Sequence, residues 1–415
     1  MTAAAPPGER CGIDSVALER VERLIAVNDP GSLAKLWSPR EFADAGDGPG
    51  RIASLAARYA AKEACLKLFP RETAIGALAE GDFSVERDAY GAPVVVPGAA
   101  AEIAIGRHRI ARIALSMTHD ATSASAVAVA ERATTPVAWT GRALYRLLPL
   151  RRTVVLENLR RVFGGRVDEA EIVRLAQAHY AHLARLLAEF VRFRWLSAGR
   201  RAGLVRVENL DLLRAEHARG RGVLILTGHF GNWEVATIAG LHRFPEARGR
   251  FHFVRRAIKP AWLEALVTRR FRAAGFGVLP KRGSLDHLVE RLEAGDLVVF
   301  PFDQHAHGRD GVVVEFFGHP AGTFRSLAII AAATGAPVLP AASWREPDGT
   351  HVLRFEAALE PIRHEDAREE LVRNTRAYNA ALERLVVRHP EQWWWVHRRW
   401  KAAARVPRDA PASGR

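Results

Sequence analysis

Two domains are predicted, a small α+β unit followed by a larger α/β unit, and three observations predict them. The chain has 415 residues, more than one hydrophobic core usually organises, and 48% of them are hydrophobic, enough to fill two. The formal charge of +14 is unevenly placed: residues 1–132 hold 15 Lys+Arg against 17 Asp+Glu, and the remainder 45 against 29. The hydrophobic patterning also breaks at Thr134-Thr135-Pro136. These observations set a first domain over 1–132, a linker over 133–138, a second domain over 139–401 and a disordered Ala, Pro and Arg-rich tail over 402–415.

In the first domain the apolar runs are short, of mixed helical and strand period, and parted by Gly, Pro and Asp turns. The stretch 53–69 is predicted as a helix, and 85–96 as a hairpin turning at Asp88-Ala89-Tyr90-Gly91. Strands are expected at 110–116 and 124–130. In the second domain the texture becomes that of Arg-rich helices, among them 169–195, with apolar residues at three- and four-residue spacing. Short buried-type strands at 222–227, 297–301, 312–316 and 337–340 alternate with helices, which argues for an α/β sheet.

Composition excludes several classes. Cys11 and Cys65 are too few for a disulfide framework and lack the spacing of a zinc site, so a reducing cytosol is expected. The opening MTAAAPPGER lacks the order of a signal peptide, and no stretch approaches the roughly 20 apolar residues that span a bilayer. Membrane contact is therefore expected to be peripheral, at the inner face of the cell membrane. The basic residues are scattered and no recognition motif accompanies them, which argues against nucleic acid and leaves an acidic protein, a phosphate ligand or a lipid surface as the anionic partner.

The first chemical constellation starts at Gly12-Ile13-Asp14. Glu63 lies in Arg58-Tyr59-Ala60-Ala61-Lys62-Glu63-Ala64-Cys65-Leu66-Lys67. Two carboxylates converging from a strand end and a helix make a hard-oxygen pair suited to Mg²⁺. Lys67 is four residues after Glu63, on the same helix face, where an ammonium and a metal carboxylate can meet one pyrophosphate. Taken singly, Asp14 reads equally as a helix cap and Glu63 with Lys67 as a surface ion pair. Ser116-Met117-Thr118-His119-Asp120 then follows a predicted strand. The order of these pieces, with Ser38-Pro39-Arg40-Glu41 and with Asp88, Gly91 and Pro93, resembles the holo-acyl-carrier-protein synthases, a family of 4′-phosphopantetheinyl transferases. Thr118 and Asp120 depart from its pattern. The resemblance implies that family's α+β fold and a Mg²⁺-dependent transfer of phosphopantetheine from coenzyme A to an acyl-carrier-protein serine. It implies Asp14 and Glu63 as metal ligands, Glu63 as general base, Lys62, Lys67, Ser116 and His119 as coenzyme A contacts, and a homotrimer through this domain.

The second constellation is Gly228-His229-Phe230-Gly231-Asn232-Trp233-Glu234, after the 222–227 strand. His229 and Glu234 cannot share one helix face, but they can meet if His229 sits in the loop ahead of a helix, where Glu234 would orient the imidazole as a base. A buried structural histidine at a helix start is the plain alternative. Most of 140–401 resembles the lipid A biosynthesis acyltransferases, part of the wider glycerolipid acyltransferase group: Asn158-Leu159, Phe163-Gly164, 229–234, Val254-Arg255-Arg256, Asp303-Gln304, Phe316-Phe317-Gly318, and the closing run from Pro390 to Lys401 with Trp393-Trp394-Trp395. This resemblance implies an α/β glycerolipid-acyltransferase-like fold and acyl transfer from a carrier-protein or coenzyme A thioester to a lipid or glycolipid hydroxyl. His229 would be the base and Glu234 its orienter, with Arg255, Arg270, Arg272 and Asp303 binding substrate. The tryptophan run suits either a membrane interface or a packed core. The expectation for the whole chain is a bifunctional transferase, with one degenerate domain serving as a docking module as the alternative.

Overall fold

The computed structural model describes residues 10–401, apart from 149, 194, 256–258 and 281–284; the expected tail at 402–415 lies outside the described residues. Contacts divide the chain into two compact units. One comprises 1–135 with 163–172, the other 136–162 with 173–415.

The first unit contains β1 (Arg10–Ala17), α1 (Leu18–Val27), α2 (Pro39–Ala45), α3 (Arg51–Leu66), β2 (Phe83–Arg87), β3 (Pro93–Pro97), α4 (Ala99–Arg107), β4 (Ile110–His119) and β5 (Ser123–Arg132). β1, β5 and β4 form an antiparallel sheet in that order, and β2 pairs with β3 around the expected turn. Ala124, Ala126, Ala128 and Ala130 alternate along β5 with buried side chains, and their small size lets α3 lie close on this face. α3 is Ala-rich and buries Leu55, Ala56, Ala60, Ala61 and Ala64. It ends at 66, short of the expected 69, because beyond Lys67 the bonds tighten to three-residue spacing, from Leu68 N to Cys65 O and from Phe69 N to Leu66 O.

Beneath α3 lies a buried ion pair. Lys62 Nζ is 2.7 Å from Glu41 Oε2 and donates also to Leu36 O at 2.7 Å, while Glu41 accepts from the backbone of Ser38 and Val85. Lys62 and Glu41 are 1% and 0% exposed, and burial lowers the ammonium's pKa against the pull of Glu41.

In the second unit come α5 (Trp139–Leu147), α6 (Arg152–Phe163), α7 (Glu169–Phe193), β6 (Val205–Glu208), β7 (Val223–Thr227), α8 (Trp233–Gly240), β8 (Phe251–Arg255), α9 (Ala261–Ala274), β9 (Phe276–Pro280), α10 (Leu285–Glu293), β10 (Leu297–Pro301), β11 (Gly311–Phe316), β12 (His319–Phe324), α11 (Ser326–Thr334), β13 (Val338–Arg345), β14 (His351–Phe355) and α12 (Ala367–Arg388). Seven strands make one sheet in the order β6-β14-β13-β7-β10-β8-β9, parallel except for the β13–β14 pair. β7 and β10 are apolar and buried on both faces over their first four residues, as central parallel strands are. The 312–316 strand is a correction: it forms a separate hairpin, β11–β12, because Phe317-Gly318 supplies two consecutive left-handed residues for a tight turn.

The buried pair yields a prediction. Replacing Glu41 with Gln leaves the Lys62 charge without its counter-ion and should destabilise the first unit by about 3–5 kcal/mol. Hydrogen exchange of the α3 amides in the full chain measures this, and Glu41→Gln with unchanged protection would contradict it.

Candidate active site

The second unit's site follows from register. β7 and β10 run side by side in parallel with Thr227 opposite Pro301, and Phe302 N donates to Thr227 O at 2.8 Å. The residues that leave the two strand ends therefore emerge together at the carboxyl edge of the sheet, where open α/β sheets place ligands. They are His229 and Asp303. Asp303 Oδ1 is 2.9 Å from His229 Nδ1, and Oδ2 accepts from His229 N at 2.8 Å and from Trp393 Nε1 at 2.9 Å. Burial pushes the Asp303 carboxyl up, but the charge and hydrogen bonds of His229 and the indole of Trp393 outweigh it and hold the pKa near 2. The carboxylate is thus ionised and can only accept. His229 therefore carries a proton on Nδ1, directed at Asp303.

Backbone docking fixes the loop that carries His229. Gly231 has φ +53°, and a Cβ there would lie 2.6 Å from Ser343 O, so only glycine lets this turn press against β13. Gly231 N donates to Gln392 O, Trp394 N to His229 O, and Phe230 bridges Trp393, so the closing segment lies as a short antiparallel partner on the histidine loop. Gln392 in turn clamps Arg345 through both backbone groups, and Asn158 donates to Trp395 O and His397 O, each at 2.8 Å. Asn232 caps α8 by accepting from Val235 N and donates to Glu189, which meets Arg345 at 2.5 and 2.6 Å. Burial opposes the charge on Glu189, but those donors prevail and lower its pKa.

His229 lines a cavity of about 650 Å³. Trp233, Trp394 and Gln304 line it together with His229, as do the apolar Phe190, Phe244, Phe253, Phe271 and Val299. The His229 ring meets Trp233 edge-on at 5.0 Å between centroids, and Trp233 meets Trp394 at 5.6 Å. Nearby His397 accepts from His305 N through Nε2, and burial lowers its pKa to about 4.

Several expectations need correction here. The carboxylate that takes the imidazole Nδ1 is Asp303, assigned from sequence to substrate. Glu234, in the first turn of α8, has Oε1 3.8 Å from Arg270, whose guanidinium lies 4.3 Å from the Phe190 ring centroid. Glu234 lines the cavity. Arg272 is exposed in the last turn of α9 and is not among the cavity residues. Arg255 ends β8, and its side chain lies outside the described residues. Trp393 and Trp395 are buried, as is Arg399, which donates to Gly322 O and Thr323 Oγ1; the tryptophan run is a packed core element with Trp394 facing the cavity. Sequence reasoning missed Trp393 as a partner of the dyad. No local signal pointed to it, since Trp393 lies 90 residues from Asp303 in sequence.

In the first unit Gly12 is decisive: a Cβ there would be 2.0 Å from Ala64 O, so glycine alone lets β1 touch the α3 backbone. That contact brings Asp14 beside Lys67, whose Nζ donates to Asp14 Oδ1 at 2.7 Å and to Ile13 O at 2.8 Å. Burial raises the Glu63 pKa, followed by a hydrogen bond and repulsion from Glu80 and repulsion from Asp14. Lys62 is corrected from phosphate contact to the buried counter-ion of Glu41, pointing into the core. Ser116 is opposite Val127, which is opposite Ile13, so the pleat puts it on the other face of the sheet from Asp14. His119 shares the face of Asp14 but lies at the far strand, opposite Ala124. One chain does not bring Ser116 to the carboxylate pair.

Residues 127–402 match the family described as bacterial lipid A biosynthesis acyltransferase. A phosphatidylinositol mannoside acyltransferase of Mycolicibacterium smegmatis is 29% identical over 198 residues, covering 46% of this chain and 62% of that protein, so the chain spans less than two thirds of that relative's length. The lipid A biosynthesis lauroyltransferase of Escherichia coli is 23% identical over 265 residues, 63% of this chain and 82% of that one. A holo-[acyl-carrier-protein] synthase of Clavibacter sepedonicus is 41% identical over 121 residues, 29% of this chain and 92% of that protein. Two of these relatives are transferases of acyl groups by name and the third is a synthase, and the chain belongs both to the bacterial lipid A biosynthesis acyltransferase family and, over a shorter stretch, to the holo-[acyl-carrier-protein] synthase family.

Proposed function

We propose that this chain is a bifunctional transferase that loads phosphopantetheine onto an acyl carrier protein and moves an acyl chain from a carrier-protein or coenzyme A thioester to a lipid hydroxyl. The observation that carries the acyl-transfer reading is that His229, bonded to Asp303, lines an apolar cavity. His229 Nε2 takes the proton of the acceptor hydroxyl as its oxygen attacks the thioester carbonyl. Asp303 holds the ring in that tautomer and stabilises the imidazolium, which then gives its proton to the departing thiolate. An acyl chain lying in the cavity gains about 0.8 kcal/mol for each methylene removed from water. Arg270, 3.8 Å from the cavity-lining Glu234, would meet an anionic part of the substrate.

In the phosphopantetheinyl transfer, Asp14 and Glu63 would hold Mg²⁺. The fit rests on the donor set: two hard carboxylates, of which Glu63 has its pKa pushed up by burial and then by Glu80 and Asp14, a repulsion that a divalent cation would relieve. When bound, the ion neutralises charge on the coenzyme A pyrophosphate. Lys67 supplies a second positive group to the phosphates, and Glu63, directly or through water, takes the proton of the carrier serine. Ser116 and His119 join the site from a neighbouring copy, in a homotrimer built on the sheet face that carries Ile13, 63% exposed. The carrier protein is the shared partner: the first activity makes it able to hold the thioester that the second consumes. No helix among the described residues is long and apolar enough to cross a membrane, and the lipid acceptor is reached by peripheral contact at the inner membrane face.

Two outcomes test this reading. His229→Ala should lose about 10²–10⁴ in acyl transfer from an acyl-carrier thioester to a membrane lipid extract, with its thermal unfolding unchanged; undiminished turnover by the folded variant would overturn the acyltransferase reading. Glu63→Gln should remove pantetheinylation of an apo carrier protein by coenzyme A and Mg²⁺ while leaving acyl transfer intact, and equal pantetheinylation would remove Glu63 from the site.

A further inference from the structure

Asp303 is held by more than the histidine it serves. A carboxylate bonded to one imidazole can turn about its Cβ–Cγ bond, and each turn changes the angle at which it meets Nδ1. Here Oδ2 is gripped from two sides, by His229 N and by Trp393 Nε1, which leaves Oδ1 to His229 Nδ1. The indole is itself immobilised. Its ring packs edge-on against Trp395 at 4.6 Å and against Phe316 at 5.9 Å, and its backbone bridges Phe230. Asn158, 237 residues away in sequence from Trp395, ties the same segment to α6.

We infer that Trp393 is a positioning residue of the acyltransferase site: its indole N–H fixes the plane of the Asp303 carboxylate and draws off part of the charge that His229 feels. The inference rests on the reading of His229 as the base. The groups facing His229 are Asp303 from the loop after β10, His397 from the closing segment and Glu234 from α8 beside it on the cavity wall. Arg399, buried behind Asp303, also feels its charge. The Trp393 indole is the neutral side-chain donor on this carboxylate from the closing segment. Its removal leaves Asp303 bonded to His229 at both oxygens but with more negative charge directed at the ring, so the protonated imidazole becomes more stable.

The test is Trp393→Phe in the full chain, with a second variant in which benzothienylalanine replaces Trp393, keeping the bicyclic shape with sulfur where the N–H was. In protein labelled with ¹⁵N at the histidine rings, the His229 resonance is assigned by its loss in His229→Gln and followed through a pH titration. Both variants should bind the His229 proton about threefold more tightly than the parent. They should also lower kcat, with KM unchanged, for transfer from palmitoyl-coenzyme A to a membrane lipid extract. A structural role alone would leave the His229 midpoint where it is, and an unchanged or lowered midpoint in either folded variant overturns the inference. If the Phe variant fails to fold, the benzothienylalanine protein decides. A raised midpoint in a chain that transfers no acyl group would sustain the placement of Trp393 while removing the proposed activity.

Discussion

The carboxylate of Asp303 is the constraint on which the acyltransferase unit turns. It is buried, ionised and bonded to three donors that come from two distant parts of the chain, the histidine loop and the closing tryptophan segment. An isolated charge in such a place would cost several kcal/mol. The surrounding architecture makes it tolerable: parallel strands β7 and β10 set its distance from His229, the turn at Gly231 presses the histidine loop onto β13, and the closing segment supplies the indole. Loss of any one of these leaves a buried charge short of a partner, which ties the position of His229 to the packing of residues more than 150 positions downstream.

Strand positions and the alternation with helices were legible because buried parallel strands read as short apolar runs, as at 223–227 and 297–301. The roles of the site residues were less so. Glu234 stands five residues from His229 and invites pairing, yet α8 begins at Trp233, so the helix carries Glu234 toward Arg270. Asp303 is 74 residues from His229, and only the register of two strands brings it there. Nothing local in the sequence reveals a register between non-consecutive strands. Lys62 misled for a similar reason: its motif position is that of a phosphate ligand, but its helix face is the one packed on α2 and Glu41.

The two units solve the placement of charge in different ways. In the first, Asp14 pairs with Lys67 near the surface, while burial, and after it the neighbouring Glu80 and Asp14, keep the Glu63 carboxyl pKa raised. In the second, the charge is sealed inside and matched by fixed hydrogen bonds, which suits a proton transfer that must not leak to water. Glycine makes both possible, at Gly12 by allowing a strand to touch a helix backbone and at Gly231 by allowing a loop to touch a strand.

The central claim is that Asp303, and not Glu234, orients the base. It is tested most directly by comparing Asp303→Asn with Glu234→Gln in acyl transfer from an acyl-carrier thioester to a membrane lipid extract. An asparagine in place of Asp303 cannot stabilise the imidazolium and should cost about 10²–10⁴ in kcat, whereas Glu234→Gln should cost less than about tenfold. The reverse order, with Asp303→Asn active and Glu234→Gln dead in folded proteins, would contradict the account.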